Sequence, residues 1–266
     1  GVLGNATQTT AITTDNLALQ GTGNFTLDNV ANSIGTLAGG QSGTLLGNVT
    51  LYNSDTLTIG TVGSQNGIAA SGLLNLATQS GDLTIAQNVS TTNATASAIA
   101  LNAGRTTAAG TATDGNLILS NSPSITVGTG GRATLFTGSI ANSLGLTDLL
   151  TSGSGRFRYN SDESATNYSL TLDTGLFGIY REHPSITVTA ADTSSTYGTA
   201  PTLTSTINSQ NGDTVAQAFS VAPTITVGGD LSTSGNHIAG DHTLTASGGT
   251  SQLGYAIDGY TGGTLT

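Results

Sequence analysis

The chain has 266 residues, a formal net charge of −10, only 8% charged residues, 38 glycines and no Cys, Met or Trp. Zero Cys excludes disulfides and thiolate chemistry, and the acidic balance argues against nucleic acid and anionic lipid as partners. No apolar run approaches the ~18–20 residues a helix needs to span a bilayer, so no membrane span is expected.

Thr, Val and Ile are stiff at χ1 and suit a pleated surface, while Gly, Asn, Asp and Ser supply corners. The composition therefore predicts an all-β protein with many tight turns. The chain opens on Gly1-Val2-Leu3, without Met, a charged leader or an apolar leader. It is expected to be a processed or excised piece of something longer.

From the N-terminus, one phrase recurs: Gly, then Asn or Asp, then aliphatic-x-aliphatic. It stands at Gly23-Asn24-Phe25-Thr26-Leu27, Gly47-Asn48-Val49-Thr50-Leu51, Gly81-Asp82-Leu83-Thr84-Ile85 and Gly115-Asn116-Leu117-Ile118-Leu119. Further aliphatic-x-aliphatic triplets begin at Leu17, Leu57, Leu74, Ile99 and Ile125. Alternation sends both aliphatics of a triplet to one face. Such a triplet is too short to stand alone, but stacked copies make a continuous column. Val49, Leu74 and Ile99 recur at a spacing of about 25 residues, the length of a rung with two or three short strands. The pattern predicts a right-handed parallel β-helix (solenoid) over residues 1–181. Gly at each corner is expected to supply positive φ, and Asn or Asp to tolerate it. A sandwich of hairpins is the competing all-β arrangement.

Around Phe157 the text changes. Phe157, Tyr159, Tyr168, Phe177 and Tyr180 crowd into a short stretch. A solenoid needs an end cap over its open apolar core, so residues 150–181 are expected to form one. The sharper alternative is a sugar platform, with Phe157, Tyr159, Tyr168 and the Tyr255/Tyr260 pair as the carbohydrate-binding candidates. Tyr180-Arg181-Glu182-His183-Pro184 then marks a boundary, because Pro184 restricts its neighbour and lacks a donor. From 182 to 266 a fresh β pattern runs through Ile186–Ala190, Thr202–Ile207, Thr224–Val227 and His242–Ala246, with one short helix expected near Val215–Phe219.

Catalytic signatures are weak. No Gly-x-Ser-x-Gly elbow joins a strand to a helix. Asp162-Glu163 is the only adjacent acidic pair, and neighbours on a strand face opposite ways. All five basic residues are Arg (Arg105, Arg132, Arg156, Arg158 and Arg181) and are scattered, which disfavours a lyase. The run His237-x-x-x-Asp241-His242 is the one metal-like cluster; it would need a further ligand and a defined second shell, and is more simply read as a solvated turn. No cofactor is expected; the acids leave structural Ca²⁺ open, but no Ca²⁺ motif is present. Six Asn-x-Ser/Thr sequons, at Asn5, Asn24, Asn48, Asn88, Asn93 and Asn167, are what the composition alone would give.

The last segment carries the runs Ile186–Ala190, Thr196-Tyr197-Gly198, Pro201–Thr204, Asn211–Thr214 and Tyr260–Thr266. In these it resembles the mostly-β-grasp, or MBG, domains of large secreted bacterial proteins. Thr199 departs from the resemblance, standing where these domains often carry an acidic residue. The upstream rungs are similar to the β-helical shaft of filamentous-haemagglutinin-like exoproteins. What the resemblance implies is a secreted, cell-surface adhesive or matrix-forming module, not an enzyme. Its implied partners are other copies or neighbouring domains, host or matrix glycans, and an outer-membrane secretion partner. A carbohydrate-binding module is the alternative function, and a β-helix polysaccharide hydrolase or lyase comes third.

Overall fold

A computed structural model describes residues 4–266. The chain divides into two compact units: the chain up to Asn167 with Thr171–His183, and Tyr168–Leu170 with Pro184–Thr266.

Apart from the antiparallel pair Thr61–Val62 and Gln65–Asn66, the strands of the first unit pair in parallel. One sheet runs, in spatial order, through Ala6–Thr7, Phe25–Leu27, Val49–Asn53, Leu74–Thr78, Ile99–Asn102, Arg132–Thr137, Gly175–Tyr180 and Phe157–Arg158. A second begins with Thr13–Leu19 paired to the long strand Ser33–Gly39, then divides. One branch continues as Leu57–Ile59, Leu83–Ile85 and Leu117–Leu119; the other as Ile68–Ala70, Val89–Thr91 and Ile125–Thr126. The passes that open on Val49, Leu74 and Ile99 each lay one strand on the first sheet and one on each branch of the second.

The registers turn the sequence spacing into contacts. Leu74 pairs with Val49 on one side and Ile99 on the other, and Leu76 likewise with Leu51 and Leu101. Leu83 pairs with Leu57 and Leu117. These aliphatics are all buried. Each fully buried leucine contributes about 2 kcal/mol relative to exposure, so apolar columns hold together strands too short to persist alone. Of the third column, Ile68, Val89 and Ile125, the triplet search reaches only Ile125; Ile68 and Val89 escape it because their strands pair one aliphatic with Ala70 or Thr91.

The repeated phrase belongs to two columns. Phe25 pairs with Val49 in the first sheet, whereas Leu83 pairs with Leu117 in the second. The unequal spacing of the phrases reflects a change of column as well as a longer corner. A further copy, Gly4-Asn5-Ala6-Thr7, pairs with Phe25-Thr26; it lacks the large aliphatics that the triplet search required.

The inner leucine column of the first sheet runs Leu27, Leu51, Leu76, Leu101, Leu135 and ends at Gly178. A Cβ there would lie 3.0 Å from Leu150 Cδ1 and 3.3 Å from Leu146 Cδ2. The short helix Leu146–Leu150, with both leucines buried, fills this space. Phe157–Arg158 then pairs outside Gly175–Tyr180, so the last strand in space precedes its neighbour in sequence. A two-residue edge offers little for further pairing.

In the second unit, Ser185–Ala190 lies between antiparallel Ser205–Ile207 and parallel Ala256–Thr261. Thr224–Val227, His242–Ser247 and Gly263–Leu265 form an antiparallel sheet, and Phe219–Val221 pairs with Thr250–Ser251. Alternation buries Ile186, Val188 and Ala190 of the first strand together with Leu244, Ala246, Leu253 and Leu265. The expected short helix is Val215–Ala218. Thr214 opens it with a capping box, its hydroxyl accepting from Gln217 N while the Gln217 side chain accepts from Thr214 N.

Candidate functional site

The corners of the first unit are where its polar residues are used. Asn24 Oδ1 accepts from Asn48 N at 2.8 Å, and Asn48 Oδ1 accepts from Leu73 N at 2.9 Å. In the other column Asp82 Oδ1 accepts from Asn116 N at 2.7 Å, and Asn116 Oδ1 from Ser139 N at 2.8 Å. Each side-chain carbonyl satisfies a backbone donor one rung away, which is why Asn and Asp are interchangeable here. Asn5 and Asn88 accept in the same way from Asn24 N and Ser124 N. Four of the six sequon asparagines thus serve as rung-to-rung acceptors.

Glycine in the phrase has two causes. Gly81 and Gly115 take φ of 75° and 79°, as expected for corners. Gly23 and Gly47 are not in the positive-φ region, which corrects the expectation for those two. At Gly47 a Cβ would lie 2.9 Å from Gly23 O and closer still to Asn24 Oδ1. Close approach of successive rungs excludes the side chain.

Arginine is used inside the fold. Arg181, 1% exposed, donates from Nη1 to Ala103 O at 2.6 Å and from Nη2 to Gly115 O at 2.7 Å and to Asp114 O. Burial lowers the pKa of this guanidinium, while Glu163, Asp162 and Asp114 oppose that shift. Arg158, 2% exposed, donates to Gly155 O and Phe157 O, and its guanidinium carbon lies 5.4 Å from the Phe177 ring centre. Arg105 stacks 4.1 Å over Tyr52 and pairs with Glu163 at 3.9 Å. Sequence reasoning gave none of these roles, because the carbonyls held by Arg181 lie 66 to 78 residues away.

The acidic pair is divided. Asp162 accepts from Ala109 N, Ser164 N and Ala165 N at 2.7, 2.6 and 2.6 Å. Burial works against its charged form, but these N–H groups and Arg181 outweigh it and lower its pKa. Glu163 instead accepts from Asn102 Nδ2 at 2.9 Å. Neither geometry presents a carboxylate dyad across a cleft.

The aromatic candidates scatter. Phe157 and Tyr159 are fully buried in the first unit, where Tyr159 stacks on Tyr180 with ring centres 5.7 Å apart and planes 15° apart. They present no ring face to solvent, so the sugar-platform expectation does not fit them; their burial beside the terminal strands is that of a core closing on itself. Tyr168 is half-buried and groups with the second unit. Tyr255 is buried there, its hydroxyl donating to Asp213 Oδ2 at 2.8 Å. Tyr260 is 45% exposed, with its hydroxyl donating to Gly248 O at 2.9 Å.

His237 and His242 lie with ring centres 4.9 Å apart, but both ring nitrogens of His242 face backbone oxygens, Gly228 O at 3.1 Å and Ile238 O at 2.8 Å. Among the described residues no group of three or more His, Cys, Asp or Glu could hold a metal ion.

One cavity of the second unit, of about 540 Å³, is lined by Ser195–Pro201 and Gly235–Gly240 with His242, Leu265 and Thr266. Tyr197 stands in it with 61% of its surface exposed. Its hydroxyl donates to Ser232 Oγ at 3.0 Å and lies 2.9 Å from Ser234 Oγ. Hydrogen bonding to Ser232, then Ser234, lowers the phenol's pKa. Sequence reasoning quoted Tyr197 for the resemblance but did not make it a site residue.

The model of the MBG domain (YGX type) matches residues 186–266, and Tyr197-Gly198-Thr199 is the chain's one Tyr-Gly-x run. No curated protein and no solved structure matches the chain. No helix among the described residues is long and apolar enough to cross a membrane.

Proposed function

We propose that the chain is a non-catalytic structural and adhesive stretch of a large secreted bacterial surface protein. In this reading the first unit is a right-handed parallel β-helical shaft of the filamentous-haemagglutinin-like kind, and the second is an MBG-type β-grasp-like domain. The observation that carries it is the rung-to-rung ladder of Asn24, Asn48 and Leu73, repeated by Asp82, Asn116 and Ser139. Such a ladder builds length by repetition. The MBG match supports placement outside the cell. The engagement of Arg158, Arg181 and Asp162 by backbone groups supports a non-catalytic role. Partners in this reading are copies of the chain, neighbouring domains, matrix or host glycans, and an outer-membrane secretion partner; no cofactor is required.

The test is to display the full chain on a non-adherent bacterium and to incubate the purified chain with a polysaccharide panel. The proposal expects new attachment or cell–cell aggregation, and no new reducing ends or unsaturated products. Polysaccharide cleavage, or display without any change in attachment, would contradict it.

A further inference from the structure

We propose that the Tyr197 cavity of the second unit is a binding site for a neutral saccharide. Its lining contains no Asp, Glu, Lys or Arg. His237 and His242 bring ring nitrogens to the lining, but with no carboxylate, ammonium or guanidinium there to pair with a charged ligand the cavity favours an uncharged one. The lining instead offers short polar side chains (Ser195, Thr196, Thr199 and Asn236) beside the apolar surface of Ala200, Pro201 and Ile238. That mixture matches a sugar ring, which carries hydroxyls at its edge and a C–H face. The volume, about 540 Å³, lies within the range of small-ligand sites.

Tyr197 supplies the platform. Exposed large aromatics usually lose rotamer freedom when they bind, and that loss weakens affinity. Here the ring is fixed in advance. Its hydroxyl is held by Ser232 and Ser234, whose own Oγ atoms lie 3.0 Å apart. Ser232 is fixed in turn by Asn236, its Oγ donating to Asn236 O at 3.0 Å and accepting from Asn236 N at 3.2 Å. The tip is anchored while the ring remains largely exposed. Tyr260 is also exposed and anchored, on Gly248 O, but it does not line the cavity. Tyr260 therefore serves as the internal control.

This inference rests on the second unit alone and is independent of the shaft. The experiment is saturation-transfer NMR and calorimetry on the full chain with maltotriose, cellotriose, mannotriose and chitotriose. The expected result is saturable binding of at least one of these, weakened about tenfold or more in Tyr197→Ala and unchanged in Tyr260→Ala. Circular dichroism of Tyr197→Ala should match the parent, since the ring is exposed. Three results would overturn the assignment: no binding of any of the four at about 10 mM, equal binding by Tyr197→Ala, or loss of binding in Tyr260→Ala instead. Failure would leave the attachment assay of the shaft reading untouched.

Discussion

The side-chain carbonyl of Asn48 accepts the backbone N–H of Leu73, 25 residues further along, at 2.9 Å. The same Asn48 donates its own backbone N–H to Asn24 Oδ1. One residue type thus ties three successive rungs at a corner, alongside the backbone bonds Gly47 N to Gly23 O and Val49 N to Leu73 O. Replacing Asn48 by Ala leaves Leu73 N–H to water and should cost about 1 kcal/mol, given the corner's exposure. Asn48→Asp keeps the acceptor, as Asp82 does in the other column, and should cost less than half of that. Urea denaturation of the three proteins checks this ordering; equal losses for Ala and Asp would contradict the ladder.

Gly47→Ala tests close approach apart from backbone conformation, because Gly47 is outside the positive-φ region. Its new Cβ would press on Gly23 O and Asn24 Oδ1. A loss of about 2 kcal/mol is expected, typical of overpacking. Gly259→Ala meets nothing within 4 Å and is also free of positive φ, so its unfolding should match the parent. Thermal melts of both variants decide the matter.

Arg181→Met removes a donor from three backbone carbonyls, of which the bonds to Ala103 O and Gly115 O are buried. A loss of about 2 kcal/mol is expected, because Ala103 O is left buried without its donor while Gly115 O keeps Gly138 N. Arg181→Lys should recover little of it, since an ammonium cannot reproduce the planar fork. A Lys variant as stable as the parent in denaturant titration would show that charge alone suffices.

Asp162 sets an acid limit. Its folded pKa lies below the ordinary carboxylate value, so the unfolded chain binds the proton more readily. The stability it supplies is therefore fully present above the unfolded value, about 3.9, and is lost as pH falls through the depressed folded value. Asp162→Asn lacks this titration. The stability gap between parent and variant should narrow on acidification below about pH 4; a gap that widens there would reverse the sign.

Much of this was legible in the residues. Val49, Leu74 and Ile99 stand one rung apart in the text, and they are register partners in the fold. Val215–Ala218 was legible as a short helix, within a Thr-x-x-Gln capping box. Other features were not. Leu146–Leu150 is too short and too embedded in Ser and Gly to give a helical period, and tertiary packing over Gly178 decides it. The outward placement of Phe157–Arg158 follows from a crossing of strand order that no local pattern records. Aromatic clustering marked a special region, but it could not distinguish a buried stack such as Tyr159 on Tyr180 from an open ring such as Tyr197. Both are tyrosines in polar sequence; burial separates them.

The central claim is that successive passes of the chain stack in register, and the absence of Cys makes it directly testable. Thr58 and Thr84 are paired neighbours on adjacent parallel strands, both half-buried, at a separation of about 4.8 Å that suits a disulfide. Ala86 lies two residues beyond Thr84, about 8 Å from Thr58, outside disulfide reach. Under mild oxidation, Thr58→Cys/Thr84→Cys should form an intramolecular disulfide, read by mass spectrometry as the loss of two hydrogens, while Thr58→Cys/Ala86→Cys stays reduced. Failure of the first pair to close, or equal closure of both, would contradict the stacked architecture.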